Sequence, residues 1–172
     1  MRPTSLNKDG YFKTGTTISS NGIKTVGFFR PEYKRLVYVK ANETRDYENS
    51  FYFKSFQSMN LFSEVKDMGG MEELVFEAEL TEEVTSVSDR IGLHNLQKHI
   101  GTFLIVEPYS EQIGAYTHMA RLTAIDPESG EDVLVLETKS FNMAGLDKPL
   151  YYPLFNAFLE WARGEKISTR SR

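Results

Sequence analysis

The sequence predicts an α/β (α+β mixed) domain: a mixed β-sheet with helices packed on it, flanked by an N-terminal hairpin and a C-terminal amphipathic helix. Three observations predict it. Short β-rich runs, KRLVYVKA (34–41) and TFLIVEPY (102–109), alternate with stretches whose apolar residues recur every three or four positions. Two further strand-like runs flank D-P-E-S-G at 126–130, the composition of a hairpin turn. Finally, 172 residues with 40% hydrophobic and 13% aromatic content are enough for one well-filled core. The expected organisation is a flexible arm over 1–10, a single globular domain over 11–164 and a polar tail over 165–172.

The elements follow in order. YFKTGTTISSNGIKTVGFF (11–29) carries β-branched and aromatic residues on both sides of Ser20-Asn21-Gly22, and Asn-Gly supplies the positive φ values of a tight hairpin. KRLVYVKA is apolar on both faces, as a central strand is. From Tyr47 to Phe62, the residues Tyr52, Phe53, Phe56, Met59 and Phe62 are spaced as one helical stripe, with Asn49 or Asp46 as cap. LFSEV (61–65) reads as a short edge strand. Gly69-Gly70 then breaks the chain, and MEELVFEAEL (71–80) fits helix or strand equally. Ser88 is placed to cap a helix through Leu93, Leu96 and Ile100 that closes at Gly101.

TFLIVEPY follows as a strand. AYTHMARLTAID (115–126) and EDVLVLETK (131–139) then form the two arms of the hairpin around DPESG. PLYYPLFNAFLEWARGE (149–165) puts Leu150, Leu154, Phe155, Phe158, Leu159 and Ala162 on one stripe, with Pro153 in the first turn and Gly164 as stop.

Composition excludes several functions. With net charge −4 and pI near 5.5, nothing suggests a sustained attraction to phosphate backbones, and a nucleic-acid partner is not expected. Cysteine is absent, which removes disulfides, thiolate nucleophiles and cysteine metal sites together. MRPTSLNKDGYF lacks the apolar run of a secretory signal, and no window reaches 18 uninterrupted apolar residues. The segment as given is therefore expected to be soluble, and it fits the mature part of an exported protein as well.

Candidate sites are few. Asp126, Glu128, Glu131 and Asp132 crowd around Pro127 and Gly130 with some of the spacing of a calcium loop, but the twelfth place falls on Glu137, inside an apolar alternating strand. A turn whose carboxylates keep a hairpin tip soluble is the expected outcome. His94 and His99, five apart on a helix, lie roughly 140° apart and share no ligand face. His118 lies in a strand between Tyr116 and Ala120. There is no Gly-rich phosphate loop after a strand and no G-x-S-x-G elbow. No catalytic residue, cofactor or metal site is assigned. The candidate ligand or partner surface is Tyr109, Tyr116, His118, Tyr151 and Tyr152, with Glu111 and Lys148 as flanking charges. The aromatic run FYFKSF (51–56) is a binding surface or, more simply, core.

RLVYVKA, the helix ending in NLFSEV, SDRIGLHNLQKHIGTFLIVEPY and THMARLTAIDPESGEDVLVLET resemble, in that order, the TolB N-terminal-like domains, which include the CsgG and LpoB types of envelope lipoprotein. The likeness spans roughly residues 33–140. Asn60–Val65 matches the group's first motif, His99–Glu107 the second, with Thr102 and Phe103 replacing its usual residues, and Asp126–Leu134 the third. The resemblance implies a TolB N-terminal-domain-like fold and a non-catalytic periplasmic domain, outer-membrane-anchored through a lipoprotein origin, that binds other envelope proteins. The group has no common catalytic residues to carry over. The alternatives are a small-ligand protein or enzyme with a pocket near His118, and a cytoplasmic or phage accessory subunit.

Overall fold

The computed structural model describes residues 6–41, 46–141 and 150–170, with the side chains of 46 and 47 excepted. Along the chain run β1 (Ile18–Ser19), β2 (Ile23–Val26), β3 (Leu36–Val39), α1 (Asp46–Ser58), β4 (Glu64–Lys66), α2 (Met68–Glu77), α3 (Arg90–Ile100), β5 (Leu104–Gln112), β6 (Thr117–Ile125), β7 (Asp132–Phe141), α4 (Tyr152–Ala162) and β8 (Thr169–Arg170). The main sheet has the order β2-β7-β6-β5-β3-β4. β3 pairs parallel with both β4 and β5, whereas β5, β6, β7 and β2 pair antiparallel, so the sheet is mixed. This is the expected fold class.

The alternation of side chains along each strand builds two cores. Val37, Val39, Leu104, Val106, Leu122 and Leu136 face α1 and α4, and Leu36, Tyr38, Ile105 and Ile125 face α2 and α3. All four residues of β3 are buried, because helices cover both of its faces.

Helix α1 buries Tyr52 and Phe56 of the expected stripe, with Met59 just beyond its end, but the buried face also takes in Phe51 and Ser55, and Phe53 is only half-buried. It ends at Ser58 because Asn60 turns left-handed (φ +52°), and Met59 packs back into the core. Asn49 lies inside the helix and does not cap it. The stretch 71–80 is largely helical as part of α2, which starts ahead of the glycine pair. Asp67 caps it by accepting the Gly70 N–H at 2.8 Å, so Gly69-Gly70 sits in the first turn and is not a break. Asp89, not Ser88, caps α3 by accepting the Gly92 N–H at 2.7 Å, and Gly101 ends it at φ +86° as expected. Gly92 is required by the approach of the preceding loop: a Cβ there would lie 1.9 Å from the Ser86 carbonyl oxygen.

The N-terminal hairpin does not form. Ser20–Gly22 is a 3₁₀ turn without positive φ values, and the strands on either side go to different partners. β1 pairs parallel with β8, and β2 is an edge strand on β7. Gly22 presses on β7 so closely that a Cβ would be 2.3 Å from the Glu137 carbonyl oxygen. Long-range pairing with an established sheet outweighs a local turn preference that two short strands cannot sustain alone.

The expected amphipathic helix, α4, is instead apolar on nearly every side. Tyr152, Leu154, Phe155, Ala157, Phe158, Leu159, Trp161 and Ala162 are all buried. The sheet and α1 cover much of it, and the N-terminal segment lies over the rest: Phe12 packs 5.2 Å from Phe155 and 5.4 Å from Tyr152, centroid to centroid. Asn156 fastens that segment, accepting the Phe12 N–H at 2.7 Å and donating to its carbonyl at 2.9 Å. Gly164, at φ +73°, stops the helix as expected. Beyond it Ile167 is buried and β8 joins β1, so these residues are built into the fold.

Candidate functional site

The carboxylate-rich segment is a turn, and its geometry goes beyond solvation. Asp126 is 4% exposed. Its Oδ1 accepts the N–H groups of Glu128 (2.6 Å) and Ser129 (3.3 Å), and its Oδ2 accepts the Tyr33 hydroxyl and Arg30 Nη1 (3.2 Å). Arg30 also holds Glu128 at 2.6 Å. Arg90 donates to the Gly130 carbonyl (2.6 Å) and to Asp132 (2.9 Å). His94 Nδ1 lies 2.9 Å from the Pro127 carbonyl oxygen, and because a carbonyl only accepts, that nitrogen carries the proton. The expectation that these carboxylates merely keep a hairpin tip soluble is thus corrected for Asp126, Glu128 and Asp132, which clasp the turn onto β3's approach segment and α3, while Glu131 is exposed. No sequence pattern marks Arg30, Tyr33, Arg90 or His94 as its partners, since all four lie far from the turn along the chain.

Among the described residues, no three His, Asp or Glu side chains come together in a way that would hold a metal ion. Glu137 lies on β7, shared by Arg121 (3.4 Å) and Lys24 (4.0 Å). Calorimetric titration with calcium or zinc is expected to show no saturable heat and no rise in melting temperature, since a ligand specific for the folded state must raise stability. A micromolar calcium site lost on Asp126→Ala would overturn this.

Two tyrosines are poised for an alkaline effect. Burial, then the bond to Asp126, pushes the Tyr33 hydroxyl well above its ordinary value. Burial, then Tyr151, does the same to Tyr52. Because the folded-state values are raised, the stability they contribute is fully present below about pH 10 and is lost as pH rises past it. In alkaline unfolding followed by circular dichroism, Tyr52→Phe is expected to flatten the decline above about pH 10 relative to the parent chain. An unchanged pH profile would show that Tyr52 does not couple to folding.

The five candidate surface residues do not converge. Tyr109 (41% exposed) pairs across the sheet with Arg121, whose guanidinium sits 5.9 Å from its ring centroid, and its hydroxyl donates to Glu111 at 2.7 Å. His118 pairs with Gln112 and Ser140, and it stands an odd number of positions from Arg121 along β6, so it points to the opposite face. Tyr116 (48% exposed) stands at the β5–β6 turn with its ring 5.7 Å from Phe141, edge to face. Tyr151 and Tyr152 are buried, packed on Phe51 and Phe12. The FYFKSF run is likewise mostly core, through Phe51, Tyr52 and Phe56. Lys148 lies outside the described residues.

At the far end of β5, β6 and β7, Tyr116 and Phe141 are in contact and Ile113 bonds to Thr117, the register partner of Phe141, so these three exposed residues share one end of the sheet, while Tyr109 stands four positions back along β5. Ile113 and Phe141 were not singled out in the sequence. Their signal was faint: two large apolar residues in otherwise polar surroundings.

No protein-family model matches the chain, and no curated protein matches it. Among solved structures, it is similar to the LpoB C-terminal domain from Salmonella enterica, at 9% identity and a TM-score of 0.43, covering 64% of this chain and 84% of that one. It is also similar to a PelC dodecamer from Paraburkholderia phytofirmans, at 10% identity and a TM-score of 0.38, covering 72% of this chain and 84% of that one.

Proposed function

We propose that the chain is a non-catalytic interaction or assembly domain of the cell envelope, acting in the periplasm and binding other envelope proteins. The observation that carries the binding role is the strand arm, which holds Ile113, Tyr116 and Phe141 in water at one end of the sheet. Exposed aromatic and aliphatic side chains gathered together are characteristic of protein contacts, and Phe141 is 71% exposed. Arg121 and Glu111 on the same strands supply a polar rim. The envelope location is supported by the order of sequence segments that resemble the TolB N-terminal-like domains. No helix among the described residues is long and apolar enough to cross a membrane, and a lipid anchor is the attachment in this reading.

The test is site-specific photocrosslinking in cells, with the reactive residue in place of Tyr116 or Phe141. A discrete adduct with an envelope protein is expected from the arm, weakened by Glu111→Arg, and none from Lys98 on α3. His118→Gln is expected to leave cellular function intact. If the arm gives no adduct while His118→Gln abolishes function with an unchanged melt, a ligand-binding or catalytic role replaces this one. The gene upstream bears on location: a signal peptide ending in Cys supports the lipoprotein reading.

A further inference from the structure

Between the β1–β8 pair and the outer side of β7 lies a cavity of about 290 Å³, lined by Ser19, Asn21, Lys24, Glu137, Lys139 and Arg170, among others. Its charge is unbalanced. Three cations meet one carboxylate, and that carboxylate is shared with a fourth cation, Arg121, at 3.4 Å. Lys24 reaches Glu137 only at 4.0 Å. Lys139 makes no ion pair among the described residues. In a chain whose net charge is −4, a pocket with this excess is a local reversal of the molecule's field.

The uncharged groups fit the same chemistry. Ser19 donates its hydroxyl to Asn21 Oδ1 at 2.6 Å, which leaves the Asn21 amide nitrogen as a donor. Arg170 is held by Thr16, to which Nη1 donates at 2.7 Å, leaving the rest of its donor fork for another acceptor. The walls are fixed by tertiary structure: β8 reaches this position through its parallel pairing with β1, and Gly22 sits against the β7 backbone. The cations thus come from three separate parts of the chain, and no linear basic motif announces them.

We propose that this cavity binds a phosphate dianion, free or as the exposed monoester of a lipid headgroup. Two unneutralised positive charges match its charge, and Arg170, Asn21 and Lys139 line the cavity with donors of the kind an oxyanion accepts. The proposal does not depend on the partner-binding role of the strand arm.

The experiment is an amide NMR titration of the full chain with inorganic phosphate at low ionic strength, with sulfate at matched ionic strength as reference. Saturable shifts confined to residues 18–24, 137–139 and 169–170 are expected, with affinity falling roughly tenfold in Lys139→Gln and again in Arg170→Gln. Lys98→Gln, which removes the same charge elsewhere, is expected to change nothing. A second arm uses phosphatidylcholine vesicles with and without phosphatidic acid: co-sedimentation lost in Lys139→Gln identifies the lipid source, and its absence beside saturable phosphate binding identifies the free ion. Shifts that do not saturate, or an affinity equal in the parent and the Lys139→Gln/Arg170→Gln variant with unchanged melts, overturn the proposal.

Discussion

Truncating Phe158 to alanine is expected to cost about 3 to 5 kcal/mol of folding stability. The side chain is fully buried in α4, with ring centroids 5.1 Å from Phe56, 5.7 Å from Trp161 and 6.2 Å from Phe62. Its neighbours belong to α1, the segment before β4, and α4 itself, so no single element can move to fill the void. The loss combines the transfer free energy of the ring with the cavity it leaves. Urea unfolding should show a lower midpoint at constant slope, and the melting temperature should fall on the order of 10 °C. A change below roughly 1 kcal/mol would mean that α4 is not anchored by this ring.

The second large effect is expected at Asp126. Asp126→Ala removes in one step the acceptor for the buried Tyr33 hydroxyl, for Arg30 and for two backbone N–H groups of the turn. A buried donor left without an acceptor costs its full desolvation, and the expected loss is about 2 to 4 kcal/mol. Arg30 contributes the smaller share, because its side chain is 37% exposed, it retains Glu128, and water screens the pair. A double-mutant cycle with Tyr33→Phe is expected to give a coupling of about 1 kcal/mol or more, which separates this bond from the rest of the clasp. A loss under about 0.5 kcal/mol would return the turn to a solvated tip.

Much of the architecture was legible in the sequence wherever the signal is local. The β-rich runs at 36–39 and 104–109, apolar on both faces, and the alternating runs at 117–125 and 132–139 mark strands, and Asp126-Pro127 with Gly130 at φ +74° makes the turn between the last two. Gly101 and Gly164 stop helices because a positive φ carries no Cβ penalty for glycine. The candidate surface was legible only in part. Tyr109 and Tyr116 are exposed, but exposure of Ile113 and Phe141, and burial of Tyr151 and Tyr152, depend on where the helices end over the sheet.

The sequence by itself determined the mixed αβ class, the hairpin at 126–131 and the element types other than those at 11–29 and 71–80, because backbone dihedrals and side-chain alternation are set by neighbouring residues. Tertiary structure decided everything that depends on a distant partner. It drew residues 18–26 out of a hairpin and onto β8 and β7, since a strand gains more from an existing sheet edge than from a two-stranded turn. It buried Asp126 against Tyr33 and Arg30, which no spacing rule connects. It set Tyr109 and His118 on opposite faces of the sheet, because Arg121, the register partner of Tyr109, stands an odd three positions from His118 along β6, and that parity becomes visible only once the register is known.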